Sequence, residues 1–544
     1  MKKIYSILTI FAFALLLVAC GDTTGGGGNI TPDPDPDPDP DPVEVDPTAS
    51  FAGLTDIEIT QGDSFDPMTG VTATDTVDGN VTNRITVTGA VLTNTPGTYV
   101  LTYKVVGSDG KTVQGTRTIT VKPGSNLPPA TEIVIMHGAV HEIDPFHPNY
   151  TGRETLARQA KQREVEDRLN VKVIYKPYPA SAAWGPSRVE AIIQGSVSGT
   201  PLADIYWTTS DWTAQLASGN AIVPVDKYLA THGNKITQEV IELGSWNDQF
   251  WSFMVNRPTV DVGLYYNSDL VEQLGIENPS ELFLNGEWTW TKFDQWASAA
   301  KSALTVMGDD YYALGGVLAN YAENMVPLNG GALINAKSGR VAFHQTPALE
   351  TYAFIKTLWD KGLFEPGGQF DAGSPSWQAG KVLMHPGSFW FLGSPDRWGG
   401  LNFKLSFVPY PMSEAYIDKG GEYVSPIGGV AVFNIASGMS AAKEELAFQV
   451  WNEIQMWKTD EEFEDEFMIS LETKLNDQAS IDAYLAIYKN VTLDLIGALG
   501  ISKYGSTGWT AKISAAIKAG DYRSQMEAIE PIYSAALEAY LSGN

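Results

Sequence analysis

All fifteen tryptophans of this chain lie beyond residue 150. A flat ring face stacks on the C–H face of a sugar and buries apolar area there, while Asp, Asn and Ser side chains hydrogen-bond the hydroxyls. The chemistry that this composition suits is carbohydrate capture. Most of the rings are wanted for packing. Trp296 shares an apolar helical face with Phe293, Ala297, Ala300 and Leu304, and Trp451 shares one with Leu446, Ala447, Val450 and Ile454. The better candidates stand in loop-like contexts: Trp184 before Gly185-Pro186, Trp212 after Ser210-Asp211, Trp377, and Trp390 in the run Gly387-Ser388-Phe389-Trp390. Asp211 can accept two hydroxyl hydrogen bonds, and Asn320 can accept and donate from another part of the chain. Ser210 and Ser388 are hydroxyl partners beside them. Asp211 also suits a helix N-cap, because Trp212-Thr213-Ala214 follows it.

Other chemistries are less well provided for. His137, His141 and His147 cluster with Glu142 and Asp144, and three imidazoles can hold zinc. Pro145 and Pro148, however, oppose the helix that would align His137 with His141, so no metal and no cofactor is expected. His137 instead is expected to point toward the ligand. Paired carboxylates of a glycoside hydrolase could hide among 64 acidic residues, but there is no G-x-S-x-G, no HExxH and no phosphate-binding glycine loop. The chain is therefore expected not to be an enzyme, with a surface glycoside hydrolase or a binder of metal or another solute as the alternatives. Against 64 acids stand 36 Lys and Arg, a net charge of −28. That field repels polyanions and leaves no footprint for nucleic acid.

These residues need elements to hold them, and the order of those elements divides the chain of 544 residues. Residues 1–19 read as a signal peptide: Lys2 and Lys3 precede an apolar run from Ile4 to Val18. Leu17-Val18-Ala19-Cys20 closes it and resembles a bacterial lipobox, which implies a lipid on Cys20, the only cysteine, and a membrane anchor outside the cytoplasm. Residues 20–47 form a tether, with alternating Pro and Asp from Pro32 to Pro42 favouring polyproline II. Residues 48–122 carry short alternating strands separated by Asp78-Gly79-Asn80, Pro96-Gly97 and Asp109-Gly110, the pattern of a small all-β sandwich. The stretch Ala73 to Val81 with Pro96-Gly97-Thr98-Tyr99 resembles bacterial immunoglobulin-like spacer domains. Asp75 and Asp78 are read as turn residues rather than calcium ligands. Residues 123–130 are a linker.

Residues 131–544 alternate strand-like and helix-like segments, beginning with Glu132–Met136, a charged helix over Arg153–Leu169 and Val171–Tyr175. The order β-α-β predicts parallel sheets, and the length predicts two α/β lobes. Pro201-Leu202-Ala203-Asp204-Ile205-Tyr206-Trp207, followed by Leu216 to Val225, resembles the bacterial extracellular solute-binding proteins of the maltose-binding type. Val262 to Leu270 is similar to the strand and helix that follow in that family. Asn329-Gly330-Gly331, Ala379 to Met384 and Ile427 to Val432 continue the match in order. The resemblance implies a two-lobed type II periplasmic-binding-protein-like fold, crossovers near Leu264–Asn267 and Gly428–Phe433, and ligand between the lobes. It places Trp184, Trp212, Trp377 and Trp390 where members contact ligand. It also implies delivery of the solute to ABC transporter permease subunits, by a protein expected to be a monomer. Few basic residues and a strong negative charge favour a neutral oligosaccharide over an amino acid. Beyond about Ile469 the family pattern fades.

Overall fold

The computed structural model describes residues 48–124, 129–255, 257–335, 338–475 and 477–543. The expected signal peptide, Cys20, the tether and residues 125–128 of the linker lie outside the described residues. The described residues divide into two compact units, one of 48–54, Met68–Thr88 and Thr102–Thr116, the other of Thr55–Pro67, Gly89–Leu101 and the described residues from Arg117 onward.

The N-terminal region is all β. Strands Ala49–Ala52, Thr72–Asp75 and Gly79–Asn80 form one sheet, and Ile57–Thr60, Thr112–Lys122, Gly97–Val106 and Thr86–Thr88 form another in that order. Alternation sends every second side chain inward, so Leu101, Tyr103 and Val105 are buried while their neighbours are not. Ala49, Ala73, Val81 and Val105 make the small core of the first unit. Asp75 is spent on its turn: it accepts from the amides of Val77 and Asp78 at 2.9 Å and of Ser108 at 3.0 Å. The Asp78 and Ser108 amides hold its carboxyl well below the usual range.

In the large module nine strands matter: β1 (Thr131–His137), β2 (Val171–Pro177), β3 (Ile205–Thr209), β4 (Ile222–Val223), β5 (Val262–Asn267), β6 (Tyr312–Leu314), β7 (Val382–Ser388), β8 (Leu405–Val408) and β9 (Ala431–Ala436). The first lobe is a sheet in the order β4-β9-β3-β1-β2, with β1, β2 and β3 parallel and β9 antiparallel to β3. The second lobe is a sheet in the order β6-β7-β5-β8. Since β9 returns to the first sheet from far along the chain, two segments must cross between the lobes. One crossing lies upstream of the expected position. Leu264–Asn267 belongs to β5, paired on both sides by β7 and β8, with Tyr265 and Tyr266 almost without exposure. The chain instead crosses between Phe253, which bridges Phe433 of the first lobe, and Val262. The return passes Ser425–Ile427, paired with Val491–Leu493, and enters β9 through Gly428-Gly429-Val430.

The helices that frame these sheets are α1 (Thr155–Leu169), α2 (Pro186–Val197), α3 (Thr213–Ser218), α4 (Trp290–Leu304), α5 (Leu318–Met325), α6 (Ala441–Gln455), α7 (Asp460–Lys474), α8 (Trp509–Ala519) and α9 (Tyr522–Ser542). Trp296 on α4 and Trp451 on α6 are buried, as their apolar faces require. The first sheet is covered on both sides, by Ile133, Ile205, Ile435 and Trp451 in one cluster and by Met136, Tyr206, Ile192 and Leu216 in another. The segment beyond Ile469, unplaced from sequence, completes the second lobe: Leu471, Tyr484, Trp509 and Tyr533 all enter its core.

Candidate ligand-binding site

Ligands of parallel α/β sheets sit beyond the carboxyl ends of the strands, where the loops diverge. In the first lobe those ends carry His137 on β1 and Trp207 near the end of β3. Their rings lie 4.5 Å apart between centroids. Trp184, in the loop after β2, joins them, with centroids 5.5 Å from Trp207 and 4.8 Å from Trp212. Arg188 on α2 backs the group, its guanidinium 3.9 Å from the Tyr178 ring, 4.8 Å from Trp184 and 5.6 Å from Trp207. Gly138 permits this closeness, since a Cβ there would stand 2.8 Å from Trp207. Trp212 is 8% exposed and Trp184 is 52% exposed. Trp184 is therefore half in solvent, while the rings behind it fix its orientation.

His137 is 6% exposed, with Nδ1 3.0 Å from the Ala139 amide. Burial, helped by the Arg188 and His141 charges, pushes its imidazole down to about 4. It is neutral at physiological pH, a hydrogen-bonding group and not a cation. His141 and His147 stand apart with ring centroids 6.2 Å from each other. Among the described residues no group of three His, Cys, Asp or Glu side chains is placed to hold a metal ion.

Ser210, Asp211 and Trp212 form a single 3-10 turn after β3, and all three are buried. Ser210 Oγ donates to the Gly428 carbonyl at 2.5 Å, tying the turn to the second crossover. Asp211 caps no helix, for α3 begins without a side-chain cap. Its carboxylate accepts from Thr209 Oγ1 and stands 3.9 Å from Lys503 Nζ of the second lobe. A Cβ on Gly429 or Gly497 would meet it at 3.3 or 3.1 Å, so the carboxylate lies in the seam between the lobes.

The second lobe answers with ionisable groups that the sequence did not single out. Lys503 interacts with Glu323 on α5 and with Asp494 as well as with Asp211. Burial pushes Glu323 upward, and burial together with the Glu323 charge brings Asp494 up to about 7. Burial works to lower Lys503, yet these carboxylates hold it above its ordinary value. Asn320 stands one turn before Glu323 on α5, and its buried Oδ1 has no hydrogen-bond partner among the described residues.

The remaining candidates fall elsewhere. Trp377 has no exposed surface: Ser374 caps a one-turn helix over Pro375–Gln378 and turns the ring inward. There it packs on His385 at 4.8 Å, Trp398 at 5.0 Å and Phe403 at 5.3 Å. It is core, with no face to offer a ligand. Ser388, at the buried end of β7, engages Asp261 at the first crossover. Trp390 is 50% exposed on the turn after β7, with Arg397 5.5 Å from its ring. The structure thus brings His137, Trp184, Asp211 and Trp212 together, sets Asn320 on the facing lobe, and separates Trp377. Trp207, Arg188, Glu323, Asp494 and Lys503 join them unforeseen. Only the adjacency of Trp207 to the apolar strand end was a usable signal.

Comparison with known proteins bears on the fold and the family. Residues 49–121 match the model of the bacterial surface protein, Ig-like domain. A search of curated proteins returns no match. Solved structures with a similar fold include the cyclic alpha-maltosyl-1,6-maltose binding protein of Arthrobacter globiformis, at 14% identity over 75% of this chain and 99% of that one, TM-score 0.53. UgpB of Mycobacterium tuberculosis, in complex with glycerophosphocholine, is 13% identical over 75% of this chain and 99% of its own, TM-score 0.52. The GacH receptor of Streptomyces glaucescens GLA.O, solved unliganded and with acarbose, is 16% identical over 76% and 99%, TM-score 0.50. At such identities the likeness speaks for the fold: two α/β lobes of the type II kind. The model of the bacterial extracellular solute-binding proteins matches residues 157–432, half of the chain, and the protein belongs to that family of binding proteins rather than enzymes.

Proposed function

We propose that the protein captures a carbohydrate, an oligosaccharide, between its lobes and delivers it to an ABC permease from a lipid-anchored position outside the cytoplasm. The observation that carries the carbohydrate reading is the half-exposed Trp184, braced by Trp207 and Trp212, beside the turn whose Asp211 faces Lys503 and the carboxylates of Glu323 and Asp494 that act on that lysine. A ring face and hydrogen-bonding groups on facing walls match the two kinds of surface that a sugar presents. Asp211 and the neutral His137 add hydroxyl partners on the first lobe. The acarbose and maltosyl-maltose ligands of structural neighbours support this reading, and the glycerophosphocholine of UgpB marks its limit as an argument from fold alone. The immunoglobulin-like region and the tether suit a spacer that holds the lobes away from a surface. Anchoring rests on Leu17 to Cys20, and delivery rests on family membership.

Calorimetry and tryptophan fluorescence against gluco-, xylo- and manno-oligosaccharides, amino acids and polyamines test the ligand class. Saturable sugar binding that is lost in Trp184→Ala with the fold intact is the expected result, and amino-acid binding with no sugar response overturns it. Cys20→Ser is expected to release the protein from membranes; unchanged retention defeats the anchor.

A further inference from the structure

A cavity of about 390 Å³ lies beside the first crossover, where Val255 lines it. Its volume is within the range of small-molecule sites. Tyr150 and Arg153 come from the loop before α1, Arg158 from the first turn of α1, and Phe463, Phe467 and Ser470 from α7. The spacing 463, 467, 470, 474 runs down one face of a helix, so Lys474 continues the wall that Phe463, Phe467 and Ser470 begin. The Lys474 ammonium lies 4.5 Å from the Phe389 ring and 3.5 Å from where a Cβ on Gly393 would stand, two residues that flank Trp390 in the chain.

The cations here are poorly matched in a chain where acids greatly outnumber them. Arg158 Nε is buried with no hydrogen-bond partner among the described residues, and its nearest carboxylate oxygen, on Glu466, is 4.0 Å from Nη2. Glu466 is itself held at 2.8 Å by the buried Lys458, which also pairs with Glu154. Arg153 and Lys474 have no carboxylate within 4.0 Å among the described residues, and Glu142 at the rim of the cavity pairs with neither. Burial and the Arg153 charge together hold Lys474 below its ordinary value, against the opposing pull of the Asp261 carboxylate. A guanidinium whose carboxylate partner stands no closer than 4.0 Å, beside a second that has none within that distance among the described residues, is suited to a planar or tetrahedral anion on a ring-sized body.

We infer that this cavity takes an anionic group of the ligand, a carboxylate or phosphate carried on a terminal sugar, held by Arg153 and Arg158 with Lys474 at its entrance. The inference rests on the carbohydrate reading and narrows it, replacing a wholly neutral oligosaccharide with one that is acidic at one end. Hydroxyl-bearing rings then lie toward Trp184, where carboxylates accept their hydrogen bonds.

The test is calorimetry of the full chain with neutral gluco-, xylo- and manno-oligosaccharides and with each series bearing a terminal uronate or a terminal phosphate. The acidic form is expected to bind about tenfold tighter or more than its neutral counterpart, by a margin that shrinks with added salt. Arg153→Gln, at an exposed position, is expected to remove most of that margin and leave neutral affinity unchanged; Arg158→Gln acts likewise if it folds. A preference for uronate or for phosphate identifies which anion is recognised. Equal affinity for neutral and acidic forms, or a margin that survives Arg153→Gln, overturns the inference while leaving carbohydrate binding standing. Failure of every sugar to bind overturns both.

Discussion

The first lobe meets the interlobe seam with rings, His137, Trp184, Trp207 and Trp212, whereas the second meets it with Asn320, Glu323, Asp494 and Lys503. Ring faces recognise shape and C–H surface and keep their character over a wide pH range. Carboxylates buried around one lysine recognise hydroxyls and charge, and their protonation depends on how deeply they sit. The contrast teaches that the two walls suit different parts of the proposed ligand, one its C–H faces by stacking and the other its hydroxyls by hydrogen bonding.

The largest effect expected of any single change separates stacking rings from packing rings. Trp377→Ala, which empties a fully buried site, is expected to cost about 3–5 kcal/mol of stability, read by urea denaturation, without a specific loss of ligand contact in whatever fraction stays folded. Next comes the acidic wall. Asp494 has a folded value near 7, above the ordinary aspartate value, so between about pH 4 and 7 the folded state holds a proton that the unfolded state has released. Stability therefore falls as pH rises through that window, by up to about 4 kcal/mol, and Asp494→Asn is expected to flatten the profile measured by denaturation at several pH values. An unchanged slope would place Asp494 in contact with water.

Trp184→Ala is expected to weaken sugar binding by about 2 kcal/mol, roughly thirtyfold, with stability changed by less than about 0.5 kcal/mol because half of the ring is already in water. A stability loss comparable to that of Trp377→Ala would erase the distinction between the two rings. The smallest effect belongs to the bridge across the seam. Asp211 and Lys503 stand 3.9 Å apart with the lysine side chain 40% exposed, so Asp211→Asn is expected to cost below about 1 kcal/mol of stability and to weaken sugar binding more than that. Equal losses would make Asp211 a fastener of the seam rather than a ligand contact.

Much of the fold is legible along the chain because strand and helix are local patterns. The apolar run Ile133–Met136, the alternation through Tyr99–Tyr103 and the helical faces around Trp296 and Trp451 each report their own burial. The Pro-Leu-Ala-Asp-Ile-Tyr-Trp run and the glycines at 428 and 429 likewise marked the strand end and the return crossover. Trp377 misled because its surroundings look loop-like, and nothing in that stretch announces that Ser374 caps a turn folding the ring into the core. The first crossover was placed too late for a similar reason. Val262–Asn267 looks like any buried strand, and only its two partners, β7 and β8, assign it wholly to the second lobe.

The amino-acid order alone settled the α/β alternation of the large module and the all-β pattern ahead of it, which depend on residues within about one element of each other, while the two lobes followed from length and from the family resemblance. It could not place Asp211 beside Lys503, or Arg153 opposite α7, because those neighbours are hundreds of residues apart along the chain. Their distances follow from how two sheets and two crossovers close on one another. Whether a ring stacks or packs, and whether a carboxyl keeps its proton, depends on that closure, since burial is a property of the assembled fold.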